Sequence, residues 1–217
     1  MNERMMVWLV APAVVVAVIL GVVRLLLTPL FVQVEYRVPG FPPDTYGFTT
    51  EDRLRWAQVT LDYLLNDAEI DFLANQRFPD GTPLFNASEL RHMEDVKHVV
   101  QAALRVWWAS LAWLVLLGLA ARRWGLQEAF LKGIALGGWW TAGLMLALVA
   151  LLIVAFQTVF VDFHRIFFDA GTWRFALSDT LIRLFPERFW RDAFMLTAGL
   201  SLIVGRALAF AAQRAFR

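Results

Sequence analysis

Ile134-Ala-Leu-Gly-Gly-Trp-Trp-Thr-Ala-Gly-Leu-Met-Leu-Ala-Leu-Val-Ala-Leu-Leu-Ile-Val-Ala-Phe-Gln-Thr-Val-Phe160 runs for 27 residues without one Asp, Glu, Lys or Arg. About 20 apolar residues cross the hydrocarbon of a bilayer as a helix, and a charge at its centre is costly. The stretch therefore reads as a membrane span. Three more runs qualify on the same count: Met5–Val32, interrupted only by Arg24 and the Thr28-Pro29 pair; His98–Ala121; and Ala193–Ala212, with Arg206 near its end. Composition agrees. Of 217 residues, 59% are hydrophobic and 18% charged, against about 25% charged in a globular average. The fold class is an all-α membrane protein with four transmembrane helices. Disorder is excluded by the abundance of Leu, Val, Phe and Trp. A net charge of +1 gives no reason to expect nucleic acid. The absence of cysteine removes disulfides, thiolate metal sites and a cysteine nucleophile.

The segments between the spans complete the layout. Residues 1–32 form an anchor helix: Arg4 precedes an apolar run too long for a signal peptide, and no small-residue cleavage site closes it. Residues 33–97 form a small cap. Residues 98–160 are a transmembrane hairpin around a connector, 122–132. A second polar segment spans 161–192, and residues 193–217 hold the fourth helix and tail. Positive residues set the orientation. Arg4, the connector's Arg122, Arg123 and Lys132, and the tail's Arg206, Arg214 and Arg217 all belong to one side, read as cytoplasmic. The cap, with 12 acids and 6 bases, reads as extracytoplasmic. The 161–192 segment follows it across, although its five arginines run against the rule. Within the cap, Thr49-Thr-Glu-Asp-Arg53 starts a helix that continues to about Leu65. Phe78-Pro-Asp-Gly-Thr-Pro83 is a turn with room for a short strand pair around it. Asn86-Ala-Ser-Glu89 opens a further helix into the second span, with Asn86 or Ser88 as its cap.

The polar residues able to do chemistry are few. His92 stands just before the second span and His164 just after the third. Their mean position, 128, falls in the connector, so continuous helices bring both to one depth, each about 50 Å from the hairpin's midpoint. Neighbouring helices pack about 8–10 Å apart, close enough for two imidazoles to face one small substrate. His98, six residues from His92, points elsewhere. The ordinary reading of a histidine here is a satisfied interfacial side chain. Asp95 near His92, and Asp162 and Asp169 around His164, favour chemistry, because a carboxylate can fix a ring's tautomer. A zinc site from the histidines and an aspartate lacks HExxH and typical ligand spacing, so no metal and no cofactor is assigned. No Gly-x-Ser-x-Gly elbow supports a serine hydrolase. Phe163, Phe167, Phe168 and Trp173 stand in an aromatic-rich segment that reads as an interfacial belt or as a dry chamber for acyl chains. Gly133 and Gly137 have Gly-x-x-x-Gly spacing, which leaves self-association open.

Glu89-Leu-Arg-His-Met-Glu-Asp-Val-Lys97 and Phe163-His-Arg-Ile-Phe-Phe-Asp-Ala-Gly-Thr-Trp173 resemble the signature blocks of the bacterial lipoprotein intramolecular transacylase family. Asp179-Thr-Leu-Ile-Arg-Leu-Phe-Pro-Glu187 and Phe189-Trp-Arg-Asp192 extend the likeness. The resemblance implies two catalytic histidines, here His92 and His164, at the boundary of cap and membrane. It implies a lipoprotein substrate whose amino-terminal cysteine carries an S-diacylglyceryl group and a free α-amine. The sn-2 acyl chain moves to that amine, and a lyso-form lipoprotein results. Partners are then this lipoprotein and membrane lipids. The rival readings are intermolecular acyl transfer or lipid ester hydrolysis with the same histidines, and a non-enzymatic membrane accessory protein.

Overall fold

The computed structural model describes residues 1–169 and 171–215. Ala170, inside the second signature block, and Arg217, counted with the positive tail, lie outside the described residues. Eight helices follow in order: α1 (Glu3–Leu26), α2 (Pro29–Glu35), α3 (Thr50–Leu65), α4 (Asp71–Ala74), α5 (Ala87–Trp124), α6 (Gln127–Phe167), α7 (Thr180–Leu184) and α8 (Glu187–Ala215). Of these, α1, α5, α6 and α8 are long and apolar enough to cross a membrane. No sheet forms among the described residues. Around the Phe78–Pro83 turn, a single antiparallel bridge joins Arg77 and Pro83 in place of a strand pair.

The chain divides into two compact units. Unit 1 comprises Met1–Leu25, Ala103–Val154 and Phe194–Arg217. Its packing follows from small residues. In α1, Met6, Val10, Val14, Val18 and Val22 are buried at i, i+4 spacing, one continuous ridge. That ridge meets glycines of α6. A Cβ on Gly133 would lie 2.6 Å from the Val10 Cβ, and one on Gly137 would lie 2.5 Å from the Ala11 carbonyl oxygen. Gly138 and Gly205 bring α6 and α8 equally close, each Cβ position falling within 2.8 Å of the other glycine's carbonyl oxygen. The Gly-x-x-x-Gly pair is thus engaged within the chain. A groove of about 430 Å³, lined by Val14, Gly21, Trp107, Leu114, Phe130 and Leu208 among others, carries no titratable side chain.

Unit 2 comprises Leu26–Ala102 and Ala155–Ala193. The anchor expected to run to Val32 ends at Leu26. Pro29 cannot continue a helix through its missing N–H, and it forces Thr28 into extended backbone (φ −138°, ψ 151°). Pro29 instead opens α2, whose Val32 packs with Tyr36, Ala57 and Phe189. In α3, Thr49 and Asp52 form a reciprocal capping box. A second core gathers Trp56, Tyr63, Leu73, Leu84, Met93 and Leu184. At 38 and 41 residues, α5 and α6 exceed the ~20 residues a bilayer needs. Their ends bearing His92 and His164 therefore extend past the spans 98–121 and 134–160. One residue of α6, Ala155, is non-helical (φ −143°, ψ 41°). The continuity assumed in matching the two histidines by depth is thus broken in α6.

Candidate active site

Everything that positions the two histidines belongs to unit 2. His92 sits in the second turn of α5, and the start of α5 is fixed by Glu89. One carboxylate oxygen of Glu89 accepts from the Asn86 backbone N–H (2.8 Å), while the Asn86 side chain accepts from the N–H groups of Ser88 and Glu89. Asn86 is therefore the cap. The other Glu89 oxygen accepts from the Leu181 N–H of α7 at 2.7 Å. Thr180 adds a hydrogen bond to the Leu84 carbonyl. Glu89 is 1% exposed, and burial raises its pKa, opposed by the hydrogen bonds it accepts from Asn86 and Leu181. Further along α5, Lys97 bonds to the Asn66 side chain and the Ala68 carbonyl and lies 4.1 Å from the Tyr63 ring centroid. These contacts set the rotation of the helix that presents His92.

His164 lies in the last turn of α6. Its Nδ1 is 2.7 Å from the Phe160 carbonyl oxygen. A carbonyl only accepts, so Nδ1 carries the proton and Nε2 the lone pair. This backbone group does what a carboxylate was expected to do. Asp162 instead pairs with Arg165 at 3.2 Å, both exposed. The backbone carbonyl of Asp169 accepts from the Thr172 hydroxyl, and the Asp169 side chain is exposed. Asp95 is half-buried, and the Nδ1 of His92 has no hydrogen-bond partner, so no carboxylate holds that ring through Nδ1.

The two imidazoles meet. Their centroids are 6.3 Å apart with planes inclined by 18°, and each is 8% exposed. Phe168 contacts both, at 4.9 Å from His92 and 5.5 Å from His164. Phe175 closes on His92, and Phe160, Phe163 and Trp173 close on His164. Phe167 packs against Phe163 with its ring tilted and keeps 47% of its surface exposed. His98 is exposed. Burial pushes the His92 pKa down to about 4, with a further push from His164. Burial also lowers the His164 pKa, opposed by its hydrogen bond to Phe160. Both rings are therefore neutral at pH 7. Two neutral imidazoles in an aromatic enclosure can accept, hold and return a proton next to an apolar substrate.

Comparison with known proteins follows the same line. The model of the family described as lipoprotein intramolecular transacylase Lit matches residues 5–190. The chain belongs to this family. A relative from Aquifex aeolicus (strain VF5), described as an uncharacterized protein, is 30% identical over 188 residues, 86% of this chain and 83% of that protein. Among solved structures, the lipoprotein intramolecular transacylase Lit of Bacillus cereus superposes with a TM-score of 0.81 at 20% identity, over 99% of this chain and 95% of that one. A variant of it with one histidine changed to alanine gives 0.69 at 18% identity, over 98% and 92%. At this identity the Bacillus structures show a shared membrane-integral, all-helical fold.

Residues of the candidate site that the sequence did not reveal fall into two kinds. The Phe160 carbonyl is a backbone group, and no side-chain pattern announces it. Glu89 and Phe175 did stand in or near the signature blocks, but their role depends on contacts across 92 and 83 residues of chain. The three-residue spacing of Asn86 and Glu89 was the available signal.

Proposed function

We propose that the chain moves the sn-2 acyl chain of a diacylglyceryl-modified cysteine onto the α-amine of that same cysteine, at the amino terminus of a mature lipoprotein. The observation that carries this reading is the placement of two buried imidazoles 6.3 Å apart inside an aromatic enclosure. Family membership supports the reaction class. The topology that goes with it has both termini in the cytoplasm of a bacterial cell membrane, with residues 33–97 and 161–192 outside.

The chemistry needs little beyond positioning and proton transfer. A free α-amine has a pKa of about 7.7–8.0, so part of the substrate is already nucleophilic at neutral pH. The amine nitrogen attacks the ester carbonyl carbon. A C–N bond forms and the carbonyl electron pair moves to oxygen. His164 takes the amine proton on Nε2, the nitrogen left free by the Phe160 hydrogen bond. His164 passes that proton to His92, the intermediate collapses, the bond to the glycerol oxygen breaks, and that oxygen takes the proton from His92. The low basicity of His92 makes any proton it carries easy to surrender. Both imidazoles are then neutral again. Nucleophile and ester belong to one molecule, and fixing their geometry contributes on the order of 7–11 kcal/mol to lowering the barrier. Acid–base assistance adds a factor of about 10²–10⁴. Phe163, Phe168 and Trp173 exclude water, so the ester is transferred rather than hydrolysed.

The test is incubation of the purified protein with a diacylglyceryl lipopeptide bearing a free amino terminus, followed by fragmentation mass spectrometry. Total mass stays constant and one acyl chain appears on nitrogen. Release of free fatty acid, or an unchanged fragment pattern, contradicts the assignment.

A further inference from the structure

The enclosure around the histidines contains one more polar atom that its surroundings leave without a partner. Nε1 of Trp173 is inaccessible to solvent and makes no hydrogen bond. An indole N–H is donor only, and a buried donor without an acceptor is an unfavourable arrangement that folded proteins avoid. The Trp173 ring centroid is 4.9 Å from that of His164. Arg174 stands over the same indole, its guanidinium carbon 5.5 Å from the ring centroid, and a cation on the π-face draws electron density from the ring. The other rings packed on the histidines, Phe160, Phe163, Phe168 and Phe175, offer no side-chain donor.

The reaction creates a matching demand. When the amine adds to the ester, the carbonyl oxygen gains a full negative charge in a dry, aromatic site. Such an oxyanion is stabilised only by donors already aimed at it. The two imidazoles are occupied with the amine proton and the leaving glycerol oxygen. We propose that the Trp173 Nε1–H is the oxyanion donor, hydrogen-bonding the oxygen of the migrating acyl group as it becomes tetrahedral. This assignment rests on the transacylase reading. The orphaned N–H is then satisfied by substrate, and its bond strengthens as the oxygen's charge develops.

The decisive variant keeps the ring and deletes only the donor: Trp173 replaced by 3-benzothienylalanine, with Trp173→Phe beside it. Removing one oxyanion donor lowers kcat by about 10²–10³, and KM should hardly change because the bond is weak in the ground state. Thermal stability should be unchanged or slightly higher, since the lost N–H had no partner. A structural hydrogen bond would give the reverse, lower stability with kcat retained, and would overturn the proposal. Full kcat in the benzothienyl variant overturns it as well. If Trp173→Phe loses its melting transition, the isosteric variant alone decides. Failure of the wild-type protein to move any acyl chain rejects the reaction itself and this role with it. A working wild type matched by the donor-less variant rejects this role alone.

Discussion

The two units bury different things. Among the described residues of unit 1 the buried side chains are apolar apart from Ser110, Thr141 and Ser201, none of them ionisable. In unit 2 they include Glu35, Arg53, Glu89, His92, Lys97 and His164. Unit 1 gains its cohesion from backbone approach, with glycines admitting α1 and α8 against α6. Close packing of small residues is the usual source of helix association where lipid removes the hydrophobic drive. Unit 2 pairs most of its buried charge: Glu89 with two backbone N–H groups, Lys97 with Asn66 and Ala68, Arg53 with the Pro42 carbonyl. The histidines break that pattern. They are buried, neutral and only partly satisfied. A group held in that condition is maintained against a cost, which makes it a candidate for function.

Substitutions can break or sharpen this contrast. The largest effect belongs to the site: His92→Ala and His164→Ala should each lower the rate of N-acylation by about 10²–10⁴, with the protein still folded, read by mass spectrometry and thermal denaturation. Second is unit 1. Gly137→Ala places a methyl group against the Ala11 carbonyl oxygen and should destabilise the protein by about 2 kcal/mol or more, while the folded fraction keeps its turnover. Third, Glu89→Ala strands the N–H groups of Asn86 and Leu181. It should cost about 2–3 kcal/mol of stability and reduce kcat as well, because the turn bearing His92 loses its anchor. A Glu89→Ala protein with normal kcat would detach the clamp from the chemistry.

Fourth is a pH effect. Glu35 is 3% exposed with Oε1 lacking a hydrogen-bond partner, and Arg188 holds the neighbouring Asp192. Burial, and then the Asp192 charge, raise the Glu35 pKa from 4.5 to about 7. The folded state therefore binds more protons than the unfolded state between pH 4.5 and 7, and the stability tied to Glu35 is lost as pH rises through that window. Glu35→Gln should melt a few degrees above wild type at pH 8 and close to it at pH 4.5. His92 acts oppositely. Its lowered pKa makes stability fall as pH drops from about 6.5 toward 4. Smallest of all, the exposed His98 replaced by alanine should change neither rate nor melting.

The four spans were legible because an apolar run of about 20 residues or more matches the thickness of the hydrocarbon and outlasts the apolar stripe of a soluble core helix. The cap of α5 was legible for a local reason, since Asn86 and Glu89 are three residues apart and form one box. The pairing of His92 with His164 came from counting along a hairpin, and it stands although Ala155 interrupts α6. What stayed hidden was either backbone chemistry or long-range contact. Carboxylates near His164 in sequence suggested an orienting partner, whereas the partner is the carbonyl one turn back. Glu35 and Asp192 are 157 residues apart, and neither position hints at the other.

The central claim is that two imidazoles act as one unit on one substrate. Its most direct measurement is the N-acylation rate of His92→Ala, His164→Ala and the double variant on the same diacylglyceryl lipopeptide. Residues acting as a unit are non-additive, so the double variant should be no slower than the slower single variant. Losses that multiply, or wild-type turnover in either single variant, would contradict the account.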